Sequence, residues 1–126
     1  MTELRAGGAK SVFHFDVQGQ VAKSTHAGIP WLRFMRQCLG DRVHFWPFDG
    51  WQTPAGRSAV LEVYPALWKR AYWRGRRNEH QQDAYAVTMW LRGADRDGRL
   101  GHFLDPDLNP SERLVASIEG WILGVE

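Results

Sequence analysis

The sequence predicts an α/β fold, and three observations lead to this prediction. Ser58 to Tyr64 (SAVLEVY) has the pattern of a strand that is apolar on both faces, which is typical of a sheet covered by helices. Asn78 to about Ala94 carries apolar residues along one helical face and begins with a good helix-capping residue. The order of segments is strand, helix, strand, strand, helices, which indicates a mixed architecture.

The beginning of the chain gives weaker signals. Residues 1–10 contain two adjacent glycines, so we expect a loose segment there, followed by one domain over residues 11–126. Ser11 to Phe15 (SVFHF) alternates in part and predicts a short strand. The polar run from Val17 to Gly28 predicts a loop.

The middle of the chain predicts a helix and then an aromatic strand. Pro30 suits the first turn of a helix, and apolar residues recur at spacings of three and four up to Leu39, where Gly40 is a good stop. Arg42 to Phe48 (RVHFWPF) is short, aromatic and bounded by turn residues, so it predicts a strand. Asp49 to Arg57 contains two glycines and a proline and predicts a loop.

The second half of the chain predicts mainly helices. Pro65 to about Tyr72 is expected to be helical, since proline ends the SAVLEVY strand and can open a helix. After the long helix, Asp95 to Gly98 (DRDG) predicts a turn, and Leu100 to Leu108 has no regular pattern. Asn109 to Glu112 (NPSE) has the residues of a helix start.

Composition restricts the function classes without selecting one. Sixteen Lys and Arg against fourteen Asp and Glu give a net charge of +2, which does not by itself indicate a nucleic-acid-binding protein. Cys38 is the single cysteine, so no intrachain disulfide can form; we expect a packed thiol and a cytoplasmic protein. No run approaches the ~18 apolar residues of a membrane span, so we expect no membrane partner.

Glu62 is a candidate site residue because it interrupts the apolar strand. An ionised carboxylate in an apolar interior is costly unless it is paired or binds a metal ion. Two other interpretations remain open: the end of the strand reaches solvent, or Glu62 pairs with an arginine.

His80 and Asp83 are candidates because they lie three residues apart at the start of the long helix and therefore on one side of it. A carboxylate there could join Glu62 in binding Mg²⁺ or Mn²⁺, which prefer oxygen ligands, and two such ions assist phosphodiester cleavage. The alternative is that Asp83 stabilises the first helical turns and His80 is exposed. Glu119, Asp16 and Asp49 are weaker candidates for further ligands.

A basic segment lies between these carboxylates in the sequence. Lys69 to Arg77 (KRAYWRGRR) holds five cations, two aromatic residues and no acid. Cations bind phosphates and aromatic rings stack on bases, so the segment could bind a nucleic-acid strand. A solvated loop between helices is the alternative. The cations are Lys69, Arg70, Arg74, Arg76 and Arg77.

Six segments of the chain resemble a bacterial family of uncharacterised proteins described as predicted nucleases of the ribonuclease-H-like superfamily. The resemblance covers nearly the whole chain from Ala9 onward and implies a three-layer ribonuclease-H-like fold. The segments are AKSVFHF (Ala9 to Phe15), THAGIPWL (Thr25 to Leu32), HFWPFDGW (His44 to Trp51), EVYPALW (Glu62 to Trp68), HQQDAYAV (His80 to Val87) and EGWILGV (Glu119 to Val125).

A more distant resemblance to RuvC-type resolvases implies the site. In those enzymes a carboxylate on an inner strand works with acidic or histidine residues on a later helix that reads roughly D/H-x-x-D-A. His80, Asp83 and Ala84 match this pattern, and Glu62 matches the strand carboxylate. The resemblance implies metal binding by Glu62 and Asp83, with His80 in support.

The chain departs from the family in one respect. Family members usually have a preceding segment that starts with a strand carrying the first aspartate, and this chain begins after it. We therefore expect the C-terminal part of a metal-dependent nuclease, with a homo-oligomer or a separate N-terminal segment as partner. The alternative is a non-catalytic nucleic-acid-binding or assembly domain with an incomplete metal site.

Overall fold

The computed structural model describes residues 5–7 and 22–125, which form a mixed α/β structure. The expected strand at Ser11 to Phe15, most of the expected loose start and the candidate Asp16 lie outside the described residues. The helices are α1 (Ala22–Leu39), α2 (Glu79–Arg96), α3 (Leu100–Leu104) and α4 (Pro110–Glu119), the strands are β1 (Val43–Phe45) and β2 (Ser58–Val60), and short 3₁₀ helices cover Gly40–Arg42, Pro65–Leu67 and Lys69–Ala71.

The sheet is small and parallel. β1 pairs with β2 in a parallel register that sets His44 opposite Ala59. Beyond β2 the chain makes an isolated parallel bridge between Glu62 and Ile122, where the Leu123 N–H donates to the Glu62 carbonyl oxygen at 2.9 Å. The expected strand from residue 58 to 64 is therefore confirmed only at its start, and the expected strand from residue 42 to 48 is confirmed only in its first half.

The C-terminal segment that follows α4 forms the middle of the core. Trp121, Ile122 and Leu123 are buried there, and the Trp121 indole N–H donates to the Val125 carbonyl oxygen at 3.2 Å. Because a buried indole N–H usually needs an acceptor, this bond allows a large apolar ring to be buried without a polar penalty. The other buried apolar residues of the cluster are Ala6, Trp46, Ala94, Phe103, Leu108, Ala116 and Val125.

Two of the predicted helix starts are confirmed. The Asn78 side chain accepts from the Gln81 N–H at 2.9 Å, and the Gln81 side chain accepts in return from the Asn78 N–H. Asn109 and Glu112 make the same reciprocal pair at the start of α4. These capping boxes satisfy backbone donors that would otherwise have no partner in the first turn of a helix.

Several sequence-based boundaries are wrong. α1 begins at Ala22 rather than Pro30, so Pro30 lies inside the helix and part of the expected loop is helical. Instead of one helix, residues 65–72 contain two 3₁₀ turns, whose bonds join each N–H to the carbonyl three residues earlier. α3 occupies part of the segment that was expected to be irregular. Cys38 is exposed rather than packed.

Within residues 5–7 and 22–125, no helix is long and apolar enough to cross a membrane.

Candidate functional site

Glu62 is exposed, and the expectation that it is buried in an apolar strand is wrong. β2 has already ended at Val60, and the chain beyond it is held to its neighbour by a single bridge. The side chain therefore reaches solvent, as one of the two alternatives proposed. The cost of burying a charge no longer argues for a metal ion at this position, although an exposed carboxylate remains a competent oxygen ligand.

Asp83 lies on the second turn of α2, against the basic segment. The Lys69 ammonium is 2.8 Å from Asp83 Oδ1, and both side chains are about one-third exposed, at 34% and 32%. Asp83 Oδ1 is itself inaccessible to solvent and accepts no hydrogen bond of good geometry. The Lys69 ammonium therefore stabilises the negative charge of Asp83 mainly by electrostatic attraction at short distance. His80 is exposed one turn earlier on the helix.

The described residues contain no group of three or more His, Cys, Asp or Glu side chains that could hold a metal ion. Two carboxylates are fewer than a two-metal phosphoryl-transfer site needs. Glu119, the additional carboxylate considered on α4, is exposed at the last residue of that helix. The Mg²⁺ or Mn²⁺ site therefore stays a prediction.

The segment from Lys69 to Arg77, called here the basic loop, is internally braced by two of its own arginines. The Arg77 guanidinium lies 3.5 Å from the centroid of the Tyr85 ring and donates to the Trp73 and Arg74 carbonyl oxygens at 3.1 and 3.2 Å. Arg74 Nε donates to the Arg77 carbonyl oxygen at 2.8 Å. Cation–π and charge-assisted bonds of this kind fix a loop conformation more firmly than neutral bonds do.

Arg70 and Arg76 are the cations of the basic loop that remain for a ligand. Both side chains are exposed, and neither forms an ion pair or hydrogen bond within the described part of the chain. The five expected phosphate-binding cations thus divide into one that pairs with Asp83, two that brace the loop, and two that have no partner in the described residues; Arg74, which braces the loop, is exposed as well.

Gln82, which the sequence did not single out, anchors the basic loop to α2. The side chain is 2% exposed, and its amide nitrogen donates to the Tyr72 and Lys69 carbonyl oxygens at 2.8 and 3.4 Å. The one signal in the sequence was its position four residues before Ala86, which is fully buried on the same helical face.

A second group of polar side chains, near β1, is structural. Burial alone would raise the pKa of the Asp49 carboxyl, but the Phe45 N–H at 2.8 Å and the Arg36 guanidinium at 2.9 Å together hold that pKa below its ordinary value. His44 is buried, with Nε2 at 2.9 Å from the Gly50 carbonyl oxygen. These contacts hold the turn that follows β1, which accounts for Asp49 and His44 without a ligand.

The arrangement as a whole brings cations and one large aromatic side chain to a surface loop. Trp73, Gly75, Arg76 and Arg77 line an open depression of about 770 Å³ beside the start of α2. Such a surface can bind phosphates by charge and planar rings by stacking.

Comparisons with known protein families, with curated proteins and with solved structures give no match to this chain. The likeness to ribonuclease-H-like nucleases therefore remains a prediction from the sequence.

Proposed function

We propose that this chain binds nucleic acid through the basic loop. The observation that carries the proposal is the exposure of Arg70 and Arg76 on a loop that α2 holds in place through Gln82. Neither guanidinium is committed to a partner within the described residues, so binding a phosphate breaks no ion pair. Arginine presents a planar fork of donors that suits phosphate oxygens.

The energetic basis is the release of counterions from the phosphate backbone. Each phosphate neutralised on a single strand contributes about 0.7 to the slope of log affinity against log salt, and about 0.9 on a duplex. Lys69 is already neutralised by Asp83, and Arg74 and Arg77 are engaged in bracing the loop. Arg70 and Arg76 should therefore dominate the salt dependence of the basic loop.

The test is a salt titration of binding to a fluorescein-labelled oligonucleotide by fluorescence anisotropy. For the double variant Arg70→Ala/Arg76→Ala we expect weaker binding and a salt slope lower by about 1.4 on a single strand. Arg92→Ala is the matched control, because Arg92 is an exposed arginine on α2 outside the basic loop. Equal slopes for the double variant and the control would refute the proposal.

A second candidate function, metal-dependent phosphodiester hydrolysis in a ribonuclease-H-like fold, has its own support. Asp83 Oδ1 is a buried carboxylate oxygen whose compensating charge is an ammonium, a position that a cation could take. The parallel pairing of β1 with β2 agrees with the α/β architecture expected for such a fold. Glu62 and Asp83 would be the ligands, with His80 in support.

Calorimetry with Mn²⁺ tests this second candidate. Binding should be lost in Glu62→Gln and in Asp83→Asn, because each change removes an anionic oxygen ligand. Lys69→Met should bind Mn²⁺ more tightly than the intact chain, because the ion no longer competes with the ammonium. If Mn²⁺ binding is insensitive to all three substitutions, the ion binds elsewhere. If neither the intact chain nor any variant binds Mn²⁺, the proposed metal site is wrong.

A further inference from the structure

Trp73 differs from the other tryptophans near the basic loop in being almost fully exposed. Its side chain is 86% accessible, whereas Trp68, five residues earlier, stacks on Trp90 with ring centroids 4.0 Å apart. Large aromatic residues normally stabilise a protein by being buried in its core, and an exposed indole does not contribute this stabilisation. Packing therefore does not account for Trp73.

The backbone of the loop contacts this indole on one side. Gly75 has a φ of +57°, and a Cβ built there would lie 3.3 to 3.6 Å from three atoms of the six-membered ring of Trp73. The ring thus packs against the Gly75 backbone on one side and is open to solvent elsewhere. Arg77 fixes the peptide of Trp73 by donating to its carbonyl oxygen. Contact with the Gly75 backbone limits the positions open to the ring, which lowers the conformational entropy lost when a planar group stacks on it.

The charges around the ring match a nucleic-acid strand. Arg76 lines the same depression as Trp73, and residues 69–77 contain no acid. The nearest acidic residue in the sequence, Glu79, lies in the first turn of α2, and Asp83 is paired with Lys69. A planar ring beside an exposed arginine that has no acidic partner in the described residues is a combination by which proteins bind the bases and phosphates of a single strand together.

We propose that Trp73 is the base-stacking residue of a site for single-stranded nucleic acid; this inference rests on the function proposed above and specifies its substrate class. A base in a single strand offers an open π-face to the indole. In a duplex both faces are covered by neighbouring bases, and exposing one requires unstacking at a cost of a few kcal/mol. The site should therefore prefer a single strand over a duplex of the same sequence.

The experiment compares Trp73→Ala, Trp73→Phe and Trp31→Ala in binding to a labelled single strand of about 16 nucleotides and to its duplex. Trp31 is an exposed tryptophan of α1 and serves as the matched control. For Trp73→Ala we expect about a 5- to 150-fold loss of single-strand affinity with an unchanged salt slope. Trp73→Phe should keep most of the affinity, since a ring remains, and the Trp31→Ala variant should bind like the intact chain. Circular dichroism of each variant verifies the fold.

The outcomes separate this inference from the function on which it rests. Salt-dependent binding that is equal for single strand and duplex and unaffected by Trp73→Ala would overturn the stacking role and leave phosphate binding by the basic loop intact. Failure of the intact chain to bind either oligonucleotide would overturn both. A loss in Trp73→Ala that Trp31→Ala reproduces would also contradict the inference, because the effect would not be specific to the basic loop.

Discussion

Gln82→Met is the substitution that most directly tests how the basic loop is held. It removes the amide that donates to the Tyr72 carbonyl oxygen at 2.8 Å while keeping a similar side-chain volume. A buried acceptor left without a donor costs about 1–3 kcal/mol. The substitution also removes Gln82 Oε1, a buried oxygen that accepts no hydrogen bond, which offsets part of this cost. We therefore expect a loss of about 1–2 kcal/mol in the free energy of unfolding.

Urea unfolding followed by circular dichroism measures this loss, which corresponds to a fall in Tm of roughly 4–8 °C. Gln37→Met is the control, since Gln37 is an exposed glutamine of α1 and the two residue types have similar helix propensities. Gln82→Met should also bind oligonucleotides more weakly, because a less fixed loop loses more conformational entropy on binding. If Gln82→Met and Gln37→Met have equal stabilities, the anchoring role of Gln82 is wrong.

Three further predictions concern the rest of the fold. The pKa of Asp49 is lowered in the folded state, so its stabilising effect should be present above pH 3.8 and be lost as the pH falls through the lower folded value. In urea unfolding near neutral pH, Asp49→Asn should be less stable than the intact chain by about 0.5–1 kcal/mol. This difference should disappear in acid, and a difference that persists there would contradict the pairing with Arg36. Asn109→Ala should cost about 1 kcal/mol of unfolding free energy by removing the α4 cap, and an unchanged urea midpoint would show that the cap is dispensable. If the chain forms the homo-oligomer expected from its sequence, Ile29→Gln/Phe34→Gln on the exposed part of α1 should lower the mass measured by light scattering, and a mass unaffected by the double variant would remove this part of α1 from that interface.

Local signals in the sequence predicted some elements well. The start of α2 could be found because Asn78 and Gln81 satisfy each other's backbone donors within a single turn, so the whole interaction is encoded by residues three apart. The SAVLEVY segment was less predictable. Its apolar composition indicates burial, but the length of a strand depends on a partner distant in the sequence, and here β1 pairs with only three of its residues.

The candidate site shows the same division between local and tertiary information. The local sequence alone shows that the basic loop contains five cations, and this part of the prediction needed no tertiary structure. Which cations remain for a ligand depends on residues outside the loop. Asp83 forms an ion pair with Lys69, and the ring of Tyr85 stacks on the Arg77 guanidinium. The spacing of the cations in the sequence does not reveal these contacts. For the same reason the sequence left open whether Glu62 is buried or reaches solvent.

The Lys69–Asp83 pair links the two candidate functions. While the pair is formed, Lys69 is not available to bind a phosphate and Asp83 is less available to bind a metal ion. If Mn²⁺ binds to Asp83, it competes with the ammonium for the carboxylate, and a released Lys69 can then contact a phosphate. The salt slope for a single strand should accordingly steepen by about 0.7 when Mn²⁺ is added.

Asp83→Asn is the control that makes this coupling measurable. In this variant Lys69 is released from the start, so its slope should be steeper without metal and should not respond to Mn²⁺ beyond the general effect of a divalent ion on the oligonucleotide. A response to Mn²⁺ that is the same in the intact chain and in Asp83→Asn would mean that the ion acts on the nucleic acid alone. Asp83 would then serve to hold the basic loop, and the nucleic-acid-binding function would stand without a metal site.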